Sequence, residues 1–168
     1  MKGIHVALAV AVGVLVASVA IGADRGCPDP HARDFNFWIG YWSVTNADGS
    51  LAGHNQIEPI LDGCVLQETW AGVSGSAGTS LNFYDTSRRE WRQFWVWREG
   101  TTLELAGRLV DGAMILQGDS LEDGKPVRNR ITWTDPPGDT VRQLWELSRD
   151  GGKTWNTLFD GTYRPARP

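Results

Sequence analysis

Glu68 is the residue whose type and position most directly suggest chemistry. In Cys64-Val65-Leu66-Gln67-Glu68-Thr69-Trp70, alternation places Cys64, Leu66, Glu68 and Trp70 on one face of a strand, opposite Val65, Gln67 and Thr69. A carboxyl among apolar side chains is pushed toward its neutral form, which suits it to acid–base work or to pairing with a ligand's polar head. It serves equally well as one end of an internal hydrogen-bond network. The same count puts three more polar groups on apolar faces. Gln93 stands with Trp91, Trp95 and Trp97, Asn129 with Val127, Ile131 and Trp133, and Gln143 with Val141, Trp145 and Leu147.

These rows carry much of the tryptophan in a chain that has nine. Trp42 shares a face with Val44, Leu103 with Leu105 and Leu109, and Trp155 with Phe159 and Tyr163. An aromatic interior with sparse polar groups is the usual make-up of a ligand pocket. The predicted ligand-contacting set is therefore Trp42, Glu68, Trp70, Trp91, Gln93, Trp95, Trp97, Asn129, Trp133, Gln143, Trp145 and Tyr163, and the partner is a small, largely apolar or aromatic molecule. Two other outcomes stay open: a filled core in which the polar groups satisfy one another, and an isomerase- or hydratase-type enzyme using Glu68.

Other chemistries find little support. After the N-terminal run only His31 and His54 remain, far from any thiol cluster, so no zinc site is expected. There is no Gly-x-Ser-x-Gly elbow and no histidine beyond position 54 to complete a hydrolase triad. Gly-rich stretches do not open helices, which excludes a phosphate cradle. His54, with Gln56 and Glu58 on its face, reads as an exposed strand histidine more than a proton carrier. No cofactor is implied.

The elements that must position these residues are short. From Tyr41 onward, β-rich runs are cut by turn residues at 46–49, 62–63, 72–78, 85–89, 99–100, 111–112, 119–124, 135–139 and 149–152, which implies ten strands. Connections this short force consecutive strands antiparallel. An all-β, single antiparallel up-and-down barrel of about ten strands removes the exposed edges; a two-sheet sandwich is the rival. Ahead of it, 34–40 reads as a short helical turn closing one end, with Asp34 as N-cap. Ser148-Arg149-Asp150-Gly151-Gly152-Lys153-Thr154-Trp155 looks like an Asp-box, the hairpin turn repeated in sialidase propellers. A single copy makes a turn and no propeller.

The chain opens with Lys2 and an apolar run from Ile4 to Gly22, the layout of a secretory signal peptide over 1–20 with cleavage after residue 20 or 23. An uncleaved anchor has a similar length, but the Ala- and Gly-rich run ends in a cleavage-like site. Residues 21–33 read as a leader and 34–168 as the barrel domain. With Lys2 removed, 15 basic residues face 20 acidic ones, a formal charge of −5, unfavourable for nucleic acid. A periplasmic or secreted location would let Cys27 and Cys64 pair, although a mobile leader would leave them as thiols.

The string Phe35-Asn36-Phe37-Trp38-Ile39-Gly40-Tyr41-Trp42 resembles the opening of a bacterial family of unknown function with a lipocalin-like, nitrobindin-like barrel. So do Gly53 to Ile57 running into Glu58-Pro59-Ile60-Leu61-Asp62-Gly63-Cys64, then Gly78 to Asp85, and Arg142 to Glu146. The resemblance spans about Asp34 to Arg164 and implies a fold more than a function. Related barrels include lipid carriers, haem-binding nitrobindins and a few isomerases. Haem ligation of the nitrobindin kind uses a late histidine that this chain lacks.

Overall fold

The computed structural model describes residues 26–167. The signal-peptide reading of 1–20 lies outside the described residues. Two short 3-10 turns, Pro30–Arg33 and Asn36–Trp38, precede ten strands: β1 (Gly40–Thr45), β2 (Leu51–Ile60), β3 (Val65–Gly72), β4 (Ala77–Asp85), β5 (Glu90–Trp97), β6 (Thr102–Val110), β7 (Ala113–Glu122), β8 (Lys125–Thr134), β9 (Val141–Ser148) and β10 (Asn156–Pro165). Each strand pairs antiparallel with its chain neighbours, and β1 pairs with β10 to close the barrel, Val44 lying opposite Tyr163. The expected up-and-down barrel is the observed fold, and closure leaves no unpaired edge.

Asp-Gly turns set the register. Asp111 and Gly112 have φ of 50° and 80°, and Asp123 and Gly124 of 52° and 75°. Two consecutive positive φ angles match the right-handed twist of a tight hairpin. The cut expected over 119–124 is narrower than its composition suggests, because β7 runs on to Glu122 and only Asp123-Gly124 turns. On the outer face, ion pairs such as Arg130–Glu146 and Arg142–Asp160 join neighbouring strands. No helix among the described residues is long and apolar enough to cross a membrane.

The N-terminal segment plugs one end. Phe35 and Trp38 are fully buried and stack at 4.8 Å between ring centroids, and Phe35 meets Trp91 and Trp133 edge-on. Trp91 Nε1 donates to the His31 carbonyl and Trp42 Nε1 to the Trp38 carbonyl. The expected helical turn is therefore present, but Asp34 does not cap it. Asp34 accepts from His31 Nδ1, and Asp29 caps the preceding turn by accepting from the His31 backbone N–H. Residues 26–33 are continuous with this plug and not a loose leader, since Ala32 is buried and Cys27 is joined to Cys64.

The Cys27–Cys64 disulfide spans 37 residues with a Cα separation of 4.8 Å and ties the plug to the turn between β2 and β3. A loop of that length corresponds to roughly 3–4 kcal/mol of unfolded-state entropy. Replacing either cysteine by serine is expected to lower unfolding free energy by about 2–4 kcal/mol in denaturant titrations without reductant. An unchanged midpoint would mean that the aromatic plug alone holds the end closed.

Candidate functional site

Closing one end leaves the other free to open. A cavity of about 430 Å³ lies inside the barrel toward the end formed by the β1–β2, β3–β4, β5–β6 and β9–β10 connections. Its wall carries Trp70, Trp95, Trp97, Trp145 and Phe159, with Leu103 and Ile131 between them; Leu51, Val73, Ser74, Ser76 and Leu158 form the mouth. Glu68, Gln93, Gln143 and Tyr163 form its polar inner part.

Strand geometry explains why large rings fit. Gly53, Gly78 and Gly161 occupy inner positions where a Cβ would overlap the rings of Trp70, Trp95 and Phe159 respectively. The rings also turn against one another: Trp95 and Trp97 are nearly perpendicular at 5.6 Å, and Trp70 meets Phe159 edge-on at 6.4 Å. Trp70 Nε1 donates to Ser76 Oγ and Trp145 Nε1 to Asn129 Oδ1, whereas the Trp95 indole N–H is buried without a partner.

Glu68 is only 5% exposed. Asn55 Nδ2 donates to its Oε1 at 2.8 Å and Ser80 Oγ to its Oε2 at 2.6 Å. Behind Ser80 the donors run in series, Gln93 Nε2 to Asn82 Oδ1 and Asn82 Nδ2 to Ser80 Oγ, each at 2.8 Å. Tyr163 donates to Gln143 Oε1 and accepts weakly from Asn55 Nδ2. Desolvation raises the Glu68 carboxyl from its ordinary 4.5 to about 7, with the Ser80 and Asn55 hydrogen bonds opposing that rise. Burial, reinforced by the nearby Glu68 charge, pushes the Tyr163 hydroxyl far above its usual range, so it remains a neutral donor.

The predicted residues divide by depth. Glu68, Trp70, Gln93, Trp95, Trp97, Gln143, Trp145 and Tyr163 converge on the cavity. Trp42, Trp91 and Trp133 face inward as expected but pack at the plugged end, away from it. Asn129 borders a smaller space of about 240 Å³ that shares Trp97, Leu103 and Trp145 with the main one, and its amide nitrogen donates to Ser120 Oγ.

Trp155 lies outside the interior. A bulge between Thr157 and Phe159 shifts the register of β10, so the ring packs instead beneath the Arg130 guanidinium, 4.1 Å from its centroid. The turn before it has the hydrogen bonds of an Asp-box, with Asp150 accepting from Lys153 N, Thr154 N and Thr154 Oγ1. His54 is an outer-face residue stacked on Tyr41, with no carboxylate partner.

Asn55, Ser80 and Asn82 were not foreseen. In β4, Ser80 and Asn82 face inward while Leu81 is 43% exposed, the reverse of the usual polarity. That inverted alternation beside the Glu68 strand is the signal that could have located them. Among the described residues no cluster of His, Cys, Asp or Glu could hold a metal. No family model matches this chain, and no curated protein does either.

A carboxyl raised by burial binds its proton more tightly in the folded chain than in the unfolded one. Its contribution to stability is complete below about pH 4.5 and is lost as pH rises through about 7, a difference of about 3 kcal/mol. Denaturant unfolding should therefore show the native chain losing stability relative to Glu68→Gln across that window. Parallel pH profiles of the two proteins would place the Glu68 carboxyl near its ordinary value.

Proposed function

We propose that the protein is a small-molecule-binding barrel whose ligand has a largely apolar or aromatic body. The observation that carries this reading is the aromatic cavity, plugged at one end and open at the other, with a buried carboxyl in its inner part. Its volume falls in the range of small-molecule sites, and a few polar groups among rings fix orientation where apolar contact supplies affinity. The space counts against the alternative of a filled structural core. The barrel shape is also what the resemblance to the lipocalin-like family of unknown function implies, and we place the chain there as part of the same reading. A periplasmic or secreted location belongs with it, supported by the Cys27–Cys64 bridge and the signal-like N-terminal run.

A second reading, an isomerase- or hydratase-type enzyme, draws on one observation: a carboxyl with a pKa of about 7 at the cavity surface. In that case Glu68→Gln abolishes turnover of a bound substrate.

The binding reading predicts that tryptophan emission changes saturably on titration with apolar and aromatic compounds. Gly78→Ala, whose added Cβ would meet both the Trp95 ring and the Val96 carbonyl oxygen, should weaken that binding by displacing the ring from its place in the wall. Emission that stays constant across alkyl, isoprenoid and aromatic probes would overturn the reading.

A further inference from the structure

The cavity's charge inventory is one-sided. Among the residues lining it, only Glu68 and Tyr163 titrate, and no lysine, arginine or histidine lines it. Several arginines instead reach carboxylates on the outer face, as Arg130 does Glu146 and Arg142 does Asp160. Glu68 thus lies buried with no cation opposite it, the arrangement least favourable for an ionised carboxylate.

The hydrogen bonds that Glu68 does make leave it incomplete. Each oxygen accepts one, from Asn55 or from Ser80, whereas a carboxylate offers about four acceptor sites. The cavity it borders is also lined by tryptophan rings, whose faces carry negative potential and attract a cation brought within about 6 Å of the ring centroid. Trp95, Trp97 and Trp145 lie at different inclinations, so a compact group placed there meets both faces and edges. A carboxylate ligand would meet Glu68 as a like charge with no base to pair with, and a purely hydrocarbon ligand would leave Glu68 with its unused acceptor sites.

Taking as given the reading of the cavity as a small-molecule site, we propose that it selects organic cations: a protonated or quaternary amine on an apolar or aromatic body, its ammonium held between Glu68 and the tryptophan faces.

A defined pH dependence follows. β2 faces Glu68 with Asn55 and Ile57, β4 with Ser80 and Asn82, β5 with Gln93, β9 with Gln143 and β10 with Tyr163. Tyr163 is the one other titratable group among them, and it stays neutral throughout the working range. A permanently charged cation therefore binds more tightly as Glu68 ionises, and an anion less tightly.

The test compares benzyltrimethylammonium, its neutral carbon isostere neopentylbenzene, and phenylacetate, by calorimetry and tryptophan emission at about pH 6 and about pH 8. At the higher pH the cation is expected to bind roughly tenfold or more tightly than either competitor. Its affinity should fall at the lower pH, and Glu68→Gln should remove both the preference and the pH dependence. The pH response of the native chain is read independently of the variant, so the test does not hinge on the variant folding. Binding of neopentylbenzene or phenylacetate as tight as that of the cation would overturn the cation selectivity and leave the cavity reading intact. Absence of binding by all three would overturn the cation selectivity, and the alkyl and isoprenoid titrations would then decide the cavity reading.

Discussion

A carboxyl group inside an aromatic barrel, with no basic side chain beside it, is the constraint around which the interior is arranged. Left alone, such a group would simply stay protonated or unfold the strand that carries it. Here Asn55 and Ser80 donate to Glu68, and Ser80 is in turn held by the Gln93–Asn82 pair. The Ser80 and Asn55 hydrogen bonds oppose the desolvation that raises its pKa to about 7. The result is a group poised between charge states at neutral pH, beside a space large enough for a guest.

That poise depends on where water is kept out. Phe35 and Trp38 seal the end behind Leu66 and Trp91, and the disulfide holds the sealing segment in place although its sequence alone would not form a stable element. Among the described residues no such segment covers the opposite end, where Leu51, Val73, Ser74, Ser76 and Leu158 form the mouth. The barrel is therefore asymmetric along its axis: a buried aromatic plug, a polar layer, then an aromatic chamber. The glycines at 53, 78 and 161 are part of the same design, because the large rings of the chamber occupy the volume their missing side chains leave.

Much of this was legible in the sequence. The ten strands follow from turn chemistry and the closed barrel from the shortness of every connection, since both are local properties of the chain. Glu68 and the Trp91 row could be assigned to the interior by alternation alone. Depth could not: alternation gives the face of the sheet but not the level along the axis, so Trp42, Trp91 and Trp133 were grouped with Trp70, Trp95 and Trp97 although they serve the plug. The partners of Glu68 were hidden for a different reason. In β4 the polar residues face inward and Leu81 and Phe83 outward, which defeats any rule that takes apolar side chains to be the buried ones. Trp155 was misplaced by one extra residue at Leu158, which no periodicity reveals.

The chamber between Glu68 and the four tryptophans is open space, not filled by side chains. A crystal structure of the purified protein at a resolution that resolves individual indole rings tests it most directly. Trp70, Trp95, Trp97 and Trp145 are expected to stand apart around density for solvent or a bound molecule that reaches Glu68. Rings collapsed into van der Waals contact across the barrel axis, with Glu68 sealed beneath them, would contradict it.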